Sequence, residues 1–154
     1  MIVYLLALLI GVVAGLRAFT APAAVSWAAY LGWLRLDDTW LAFLGYAWTP
    51  WILTLLALVE LVTDQRPSTP SRTVPMQFGA RIVMGAVAGA AVTAAGRSLI
   101  SGGVAGIVGA VIGTLGGGTA RTRLAAAFGR DLPAALVEDA VAIIAAVLIV
   151  ITAR

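Results

Sequence analysis

The sequence predicts an all-α integral membrane protein, a compact bundle of about five transmembrane or re-entrant helices. Of its 154 residues, 62% are apolar and 11% are charged, whereas a soluble domain averages about 25% charged residues. So few charges cannot cover a water-soluble globule of this size, and the same figures exclude disorder. The apolar runs are long and do not alternate, which favours helices over a barrel. Residues 1–154 are expected to form a single domain.

Five apolar runs correspond to the expected helices: residues 2–34, 40–63, 78–95, 99–115 and 134–153. About 20 residues cross the hydrocarbon core of a bilayer, so the first run is too long for one upright helix. Gly15 and Pro22 predict that this first segment is broken. The fourth segment is rich in glycine and ends in Gly116, Gly117 and Gly118, so it is also expected to be broken.

Arginine residues between the apolar runs predict the orientation of the chain. The connection at 64–77 contains three prolines and two arginines, and Arg81 follows it. The positive-inside rule places this connection in the cytoplasm and the acidic turn at 35–39 outside. The N-terminus would then lie inside and the C-terminus outside, or inside if the fourth segment is re-entrant. The tryptophans around the 35–39 turn are typical of an interfacial belt.

Arg17 is the charge that ordinary interfacial roles do not explain. It lies within the first apolar run, between Gly15 and Pro22. An arginine at membrane depth costs about 2.5–3.5 kcal/mol on insertion scales and needs a carboxylate, carbonyls or an anionic ligand. Arg17 therefore has either a functional role or a structural one, as an ion pair that holds the break together.

Two pairs of acids share the expected cytoplasmic side with several arginines. Glu60 and Asp64 are one helical turn apart, and Glu138 and Asp139 lie in the first turns of the last segment. Adjacent residues point about 100° apart, so one of the last two is expected to face the bundle. The charges form either a closed set of salt bridges or the mouth of a polar cavity. The candidate substrate-binding residues are Arg17, Glu60, Asp64, Arg72, Arg81, Arg123, Glu138 and Asp139.

Glycine recurs at four-residue spacing in the third and fourth segments. Such stripes let helix backbones approach closely, either within one chain or between two copies of it. A third interpretation is that the stripe lines a substrate path. We expect a homo-oligomer formed through these glycine-rich faces. Residues 10–18 also loosely match residues 112–120. The match is either chance or a weak inverted repeat, an arrangement found in transporters.

The residue types that are absent narrow the chemistry. The chain has no Cys and no His, which excludes disulfides, thiolate nucleophiles and the usual zinc sites. We therefore expect no enzyme, no catalytic residue, no cofactor and no metal. The arginines form no continuous basic face, so nucleic acid is not an expected partner. The expected partners are the lipid bilayer and an anion or a lipid headgroup.

The preferred interpretation is a small transporter or channel for an anion or a phosphate-bearing species, because guanidinium groups bind oxyanions bidentately. The alternative is a structural, regulatory or lipid-binding membrane protein whose charges are paired internally and which transports nothing.

Several motifs resemble a bacterial family of small integral membrane proteins that has no known function. The resemblance rests on the Gly15–Phe19 stretch with Pro22, on the acidic motif at 58–67, on the Thr-Pro-Ser-Arg loop at 69–72 and on the glycine-rich segment. It implies an all-helical, multi-pass protein of the inner membrane with a helix break, and it implies no substrate. The family motif often reads Asp-Lys-Pro, where this chain has Asp64-Gln65-Arg66-Pro67. This difference leaves the partner of the basic group unassigned.

Overall fold

The computed structural model of the chain is all-helical over the residues that it describes, which are 1–65, 73–95 and 98–154. Three helices cover the first half of the chain: α1 (Ile2–Leu16), α2 (Thr20–Tyr30) and α3 (Thr49–Thr63), with a short 3-10 helix, Ala42–Gly45, between α2 and α3. The second half contains α4 (Pro75–Val92), α5 (Leu99–Phe128) and α6 (Asp131–Ala153).

The first apolar run is broken, as predicted, and the break lies between α1 and α2. Arg17 has an extended backbone, with φ −139° and ψ 112°, and α2 begins three residues later at Thr20. Pro22 lies in the first turn of α2, where its missing N–H removes no hydrogen bond. The chain turns back at this point, so that α1 and α2 form a hairpin with Arg17 at its tip.

The helix directions follow from backbone contacts at glycines. Gly11 faces Gly106 and Gly15 faces Gly113, so α1 and α5 run parallel. Gly85 faces Gly106 and Gly89 faces Gly102, so α4 is antiparallel to both. The chain then turns at 129–130 into α6, which packs against α5 and α1 and therefore runs antiparallel to them.

Both termini consequently lie at one end of the bundle. The side chain of Arg154 lies 5.6 Å from the ring centre of Trp33, just beyond the end of α2, at the end of the bundle where α1 begins. The expected placement of the N-terminus at the end opposite the 35–39 turn is therefore wrong. The hairpin returns to the end of the bundle at which α1 begins, so the N-terminus and the 35–39 turn lie at the same end.

The same geometry bears on the weak inverted repeat. In an inverted repeat, the matching helices at 10–18 and 112–120 would run in opposite directions. The structure has them parallel and in contact, through α1 and α5. The match between the two stretches is therefore not the trace of an inverted repeat.

The predicted break in the fourth segment is also wrong. α5 is one helix of 30 residues and continues through Gly116, Gly117 and Gly118. An apolar environment offers no other partner to the backbone N–H and C=O groups, so the helical hydrogen bonds persist despite the low helix propensity of glycine. The helix ends only at Gly129, which adopts a left-handed conformation with φ +67°.

The glycine-rich face of α5 is covered within the chain. A Cβ atom added at Gly106 or Gly109 would come within 3 Å of backbone atoms of α4 or α1. The stripe therefore serves close helix packing inside one molecule, which was one of the two packing interpretations. A homo-oligomer stays a prediction, and it would have to use another face of the bundle.

Three helices are long and apolar enough to cross a membrane: α4, α5 and α6. α1 and α3 are apolar but have only 15 residues each, which corresponds to about 22 Å of helix against about 30 Å of hydrocarbon. Exposed aromatic rings, including Trp40, Tyr46 and Trp48, lie around the loop that joins α2 to α3. Such rings are common at a membrane–water interface.

Candidate functional site

The candidate site is built around Arg17 at the tip of the α1–α2 hairpin. Its side chain is completely buried. The Nε atom donates a hydrogen bond of 2.6 Å to Asp139 of α6, and a terminal nitrogen is paired with Asp64 at the end of α3. Glu138 lies 3.8 Å from the other terminal nitrogen. One guanidinium therefore links the hairpin to two other helices.

The C-terminus of α1 is capped by a second buried arginine. Arg81 of α4 donates hydrogen bonds of 2.8 Å and 2.6 Å to the carbonyl oxygens of Gly15 and Leu16. The hydroxyl of Thr114 also donates to the Gly15 carbonyl, at 3.2 Å. The last carbonyls of a helix have no intrahelical donor and carry the negative end of its dipole. A cation at this position stabilises the end of α1.

The N-terminus of α2 is capped by the carboxylate of Glu60. Its two oxygens accept hydrogen bonds from the backbone N–H groups of Ala18, at 2.7 Å, and Phe19, at 2.9 Å. Arg81 lies 3.8 Å from the same carboxylate. Helix N-termini attract anions through their free N–H groups and their dipole. The end of α1 therefore receives a positive charge from Arg81 of α4, and the start of α2 receives a negative charge from Glu60 of α3.

Arg121 joins α5 and α6 to the same group of charges. Its guanidinium donates hydrogen bonds of 3.0 Å and 2.6 Å to Asp131, and one of 3.2 Å to the backbone carbonyl of Asp64. Glu138 lies 3.6 Å from Arg121. We refer to the whole set as the ion-pair cluster, which consists of Arg17, Glu60, Asp64, Arg81, Arg121, Glu138 and Asp139.

The structure brings together six of the eight predicted site residues: Arg17, Glu60, Asp64, Arg81, Glu138 and Asp139. Arg72 lies outside the described residues. Arg123 is exposed on α5, away from the cluster. We expected one of Glu138 and Asp139 to face the bundle, and the structure buries both of them.

Four residues around the break are absent from the predicted site residues, although Arg121 lies among the arginines expected on the same side. Arg121 takes the place expected for Arg123, because two residues along a helix turn a side chain by about 200°. Gln65 donates a 3.3 Å hydrogen bond to Asp139, and Thr114 binds the end of α1. The hydroxyl of Thr20 is buried without a hydrogen-bond partner among the described residues. Only Arg121 had a signal in the sequence, its charge beside Arg123.

The cluster lies at the ends of α1, α2 and α3 but well inside α4 and α6. Asp139 comes eight residues after the start of α6 and Arg81 six residues after the start of α4, or about 12 Å and 9 Å along each helix. Among the described residues, the acids do not form a group arranged to hold a metal ion. Their partners are guanidinium groups, backbone N–H groups and the Gln65 amide, so the chemistry available to the cluster is exchange of ion pairs and hydrogen bonds.

A separate groove of about 330 Å³ runs between α4 and α5. Apolar side chains form almost all of its wall, including Val83, Val87 and Ile107, with Trp40 at its edge. It lacks the converging polar groups of the ion-pair cluster, so the cluster is the better candidate site.

The family model for DUF4126, a domain of unknown function, matches residues 4–153. The chain belongs to this family. The match covers the break, the ion-pair cluster and all six helices, and it confirms the resemblance to a family of unknown function. No curated protein and no solved structure matches the chain.

Proposed function

We propose that this DUF4126 protein is a small membrane transporter for an anion, with the ion-pair cluster as its polar site. The observation that carries the proposal is the environment of Arg17. A completely buried guanidinium at a helix break is held by carboxylates from α3 and α6. Charged groups at membrane depth are costly and are usually functional.

Stability alone is a poor reason for such a cluster. Replacing a buried ion pair by apolar residues of similar volume is often neutral or stabilising, because taking two charges out of water costs about as much as their attraction returns. Apolar side chains at positions 17, 64 and 139 would therefore hold the hairpin about as well, whereas Glu60 and Arg81 also bind backbone groups of the break. The charges are better explained by a task that apolar residues cannot perform.

Anion binding is such a task. The fork of Arg17 already holds carboxylates, and the same geometry suits other oxyanions. An incoming anion would exchange with Asp64 or Asp139 for the guanidinium. Since these ion pairs connect the hairpin to α3 and α6, the exchange would loosen the tip and give the hairpin a second position. Alternating access requires two such arrangements.

The test is a flux assay with purified protein in liposomes, using chloride, nitrate and phosphate in turn. We expect flux of at least one of these anions above that of protein-free liposomes, and a loss of tenfold or more in Arg17→Gln. Arg35→Gln, an exposed arginine in the loop after α2, is the matched control and should transport normally. Correctly folded protein that moves none of the three anions would contradict the proposal.

A structural or regulatory role is the second candidate, favoured by the pairing within the cluster. Its guanidinium groups contact carboxylates or carbonyls of the same chain. On this view, Arg17→Gln lowers the free energy of unfolding and the wild-type protein shows no flux. The two candidate functions therefore differ in the anion flux expected of the wild-type protein.

A further inference from the structure

We propose that the Glu60 carboxylate is a tethered substitute for a small monovalent anion at the N-terminus of α2, and that each anion that binds there enters with one proton. The inference rests on the proposed function, adds a second anion position in the same cluster beside the Arg17 guanidinium, and specifies the substrate class and the coupling. It starts from the hairpin tip, where the positive end of one helix meets a carboxylate from another.

The N-terminus of α2 is an anion site that is already occupied. The N–H groups of Ala18 and Phe19 both point at the Glu60 carboxylate, at 2.7 Å and 2.9 Å. Phe19 is the N-cap residue of α2, which has 11 residues, so the two N–H groups lie at the positive end of the helix dipole. A carboxylate bound through two backbone N–H groups occupies the position that a free anion would take.

A second observation at the same turn points to a ligand. Thr20 is the first residue of α2, directly after Phe19, and only 8% of it is exposed. Its hydroxyl has no hydrogen-bond partner among the described residues. Leaving a buried hydroxyl unpaired costs roughly 1–3 kcal/mol. The tethered Glu60 carboxylate accepts no hydrogen bond from this hydroxyl. A free anion in its place could accept one.

The surroundings select a small anion with one negative charge. The site holds one carboxylate group through two N–H donors, and Arg81 lies 3.8 Å away. Asp64 is paired with Arg81 and Asp139 with Arg17 in the same cluster. A second negative charge would be repelled by these acids. Chloride, nitrate and formate fit this description, whereas sulfate and the dianionic form of phosphate do not.

Charge balance is the reason that one proton should accompany each anion. When the Glu60 carboxylate takes up a proton from solution, it becomes neutral and no longer competes for the N–H groups. The arriving anion then restores the negative charge at the same place, so the net charge of the cluster does not change. Among the charged groups of the cluster, Arg81 of α4 lies directly beside Glu60. The others are Arg17 at the hairpin tip, Asp64 at the end of α3, Arg121 of α5, and Glu138 and Asp139 of α6.

The test measures anion binding and proton uptake together in purified protein in detergent. Chloride, nitrate and formate are added separately at constant ionic strength, with sulfate as the divalent comparison. Binding is measured by calorimetry, and proton uptake is measured in weakly buffered solution. We expect about one proton for each monovalent anion bound by the wild-type protein, and no binding of sulfate at the same concentrations.

Three variants assign the effect to named groups. Glu60→Ala should bind the monovalent anions without taking up a proton, and Glu60→Gln replaces it if the alanine variant does not fold. Thr20→Val should weaken anion binding about three- to tenfold, the effect of one hydrogen bond. It should still take up about one proton for each anion bound. Thr119→Val is the matched control because its exposed hydroxyl bonds only within α5, and it should behave as wild type.

The outcomes separate this inference from the transport proposal. Anion binding without proton uptake in the wild-type protein overturns the inference, and so does a folded Glu60→Ala that has lost anion binding. If anion flux is still coupled to protons in Glu60→Ala, the inference about Glu60 is overturned, but the transport proposal is not. Proton-coupled binding without flux in liposomes supports the anion site and overturns the transport proposal.

Discussion

The α1–α2 junction and the glycine-rich stretch of α5 look alike in sequence and differ in structure. Both combine small residues with an arginine inside or beside an apolar run. The first is broken at Arg17, whereas the second is an uninterrupted helix of 30 residues. The contrast is sharp because the two stretches lie side by side in the bundle, with Gly15 facing Gly113.

The difference shows that a break within a membrane protein depends on partners more than on local propensity. Opening a helix exposes four N–H and four C=O groups, which need new partners. At the α1–α2 junction, Glu60 and Arg81 supply them. In α5, the glycines instead allow backbones to pack closely, and this packing favours a continuous helix.

Removing the charge at the break should have the largest effect. Arg17→Met leaves Asp64 and Asp139 buried without their guanidinium, and we expect a loss of about 3–5 kcal/mol in the free energy of unfolding. Reversible unfolding in mixed micelles measures it. Arg35→Met, at an exposed position, serves as the control and should unfold as wild type does. An Arg17→Met protein as stable as wild type would show that the ion pairs do not hold the break.

Adding a methyl group to the glycine face should have a smaller effect. The Cβ of Gly109→Ala would come within 3 Å of the α1 backbone at Leu8 and Val12, and we expect a loss of about 1–3 kcal/mol. Gly116→Ala lies in the same helix with open space around it. It should gain up to about 1 kcal/mol from helix propensity. Equal effects of the two substitutions in the same unfolding assay would refute the packing role.

The smallest effect concerns the two arginines near the end of α5. Arg121→Gln removes the hydrogen bonds to Asp131 and to the Asp64 carbonyl, of which the Asp131 carboxylate is largely exposed. We therefore expect a loss of about 1 kcal/mol at most. Arg123→Gln should leave the unfolding transition unchanged. If Arg123 proved the more important of the two, the placement of the cluster on α5 would be wrong.

Much of the fold could be predicted because membrane helices leave a strong pattern. Apolar length gave the helices, and Gly15 with Pro22 indicated the break. The direction of the chain after the break could not be predicted. It depends on Glu60 and Arg81, which come from other helices, and no local pattern distinguishes a bend that crosses the membrane from one that turns back.

The site was predictable to the extent that unexplained charges are rare. Arg17 and the two acid pairs stood out because few charges lie inside apolar runs. Whether Arg121 or Arg123 enters the cluster depends on the rotation of α5 about its own axis. The sequence does not indicate this rotation, because small residues occur on several sides of the helix. Thr20 and Thr114 give no signal, because threonine is common in membrane helices and their role comes only from their position beside the break.

The central claim is that α1 and α2 form a hairpin that returns to its starting side. Labelling of single-cysteine variants with a membrane-impermeant maleimide tests it directly, because the chain has no cysteine of its own. In intact vesicles of one orientation, Ile2→Cys, Asp38→Cys and Arg154→Cys should be labelled from one side, and Thr73→Cys from the other. Labelling of Ile2→Cys from the same side as Thr73→Cys would contradict the hairpin.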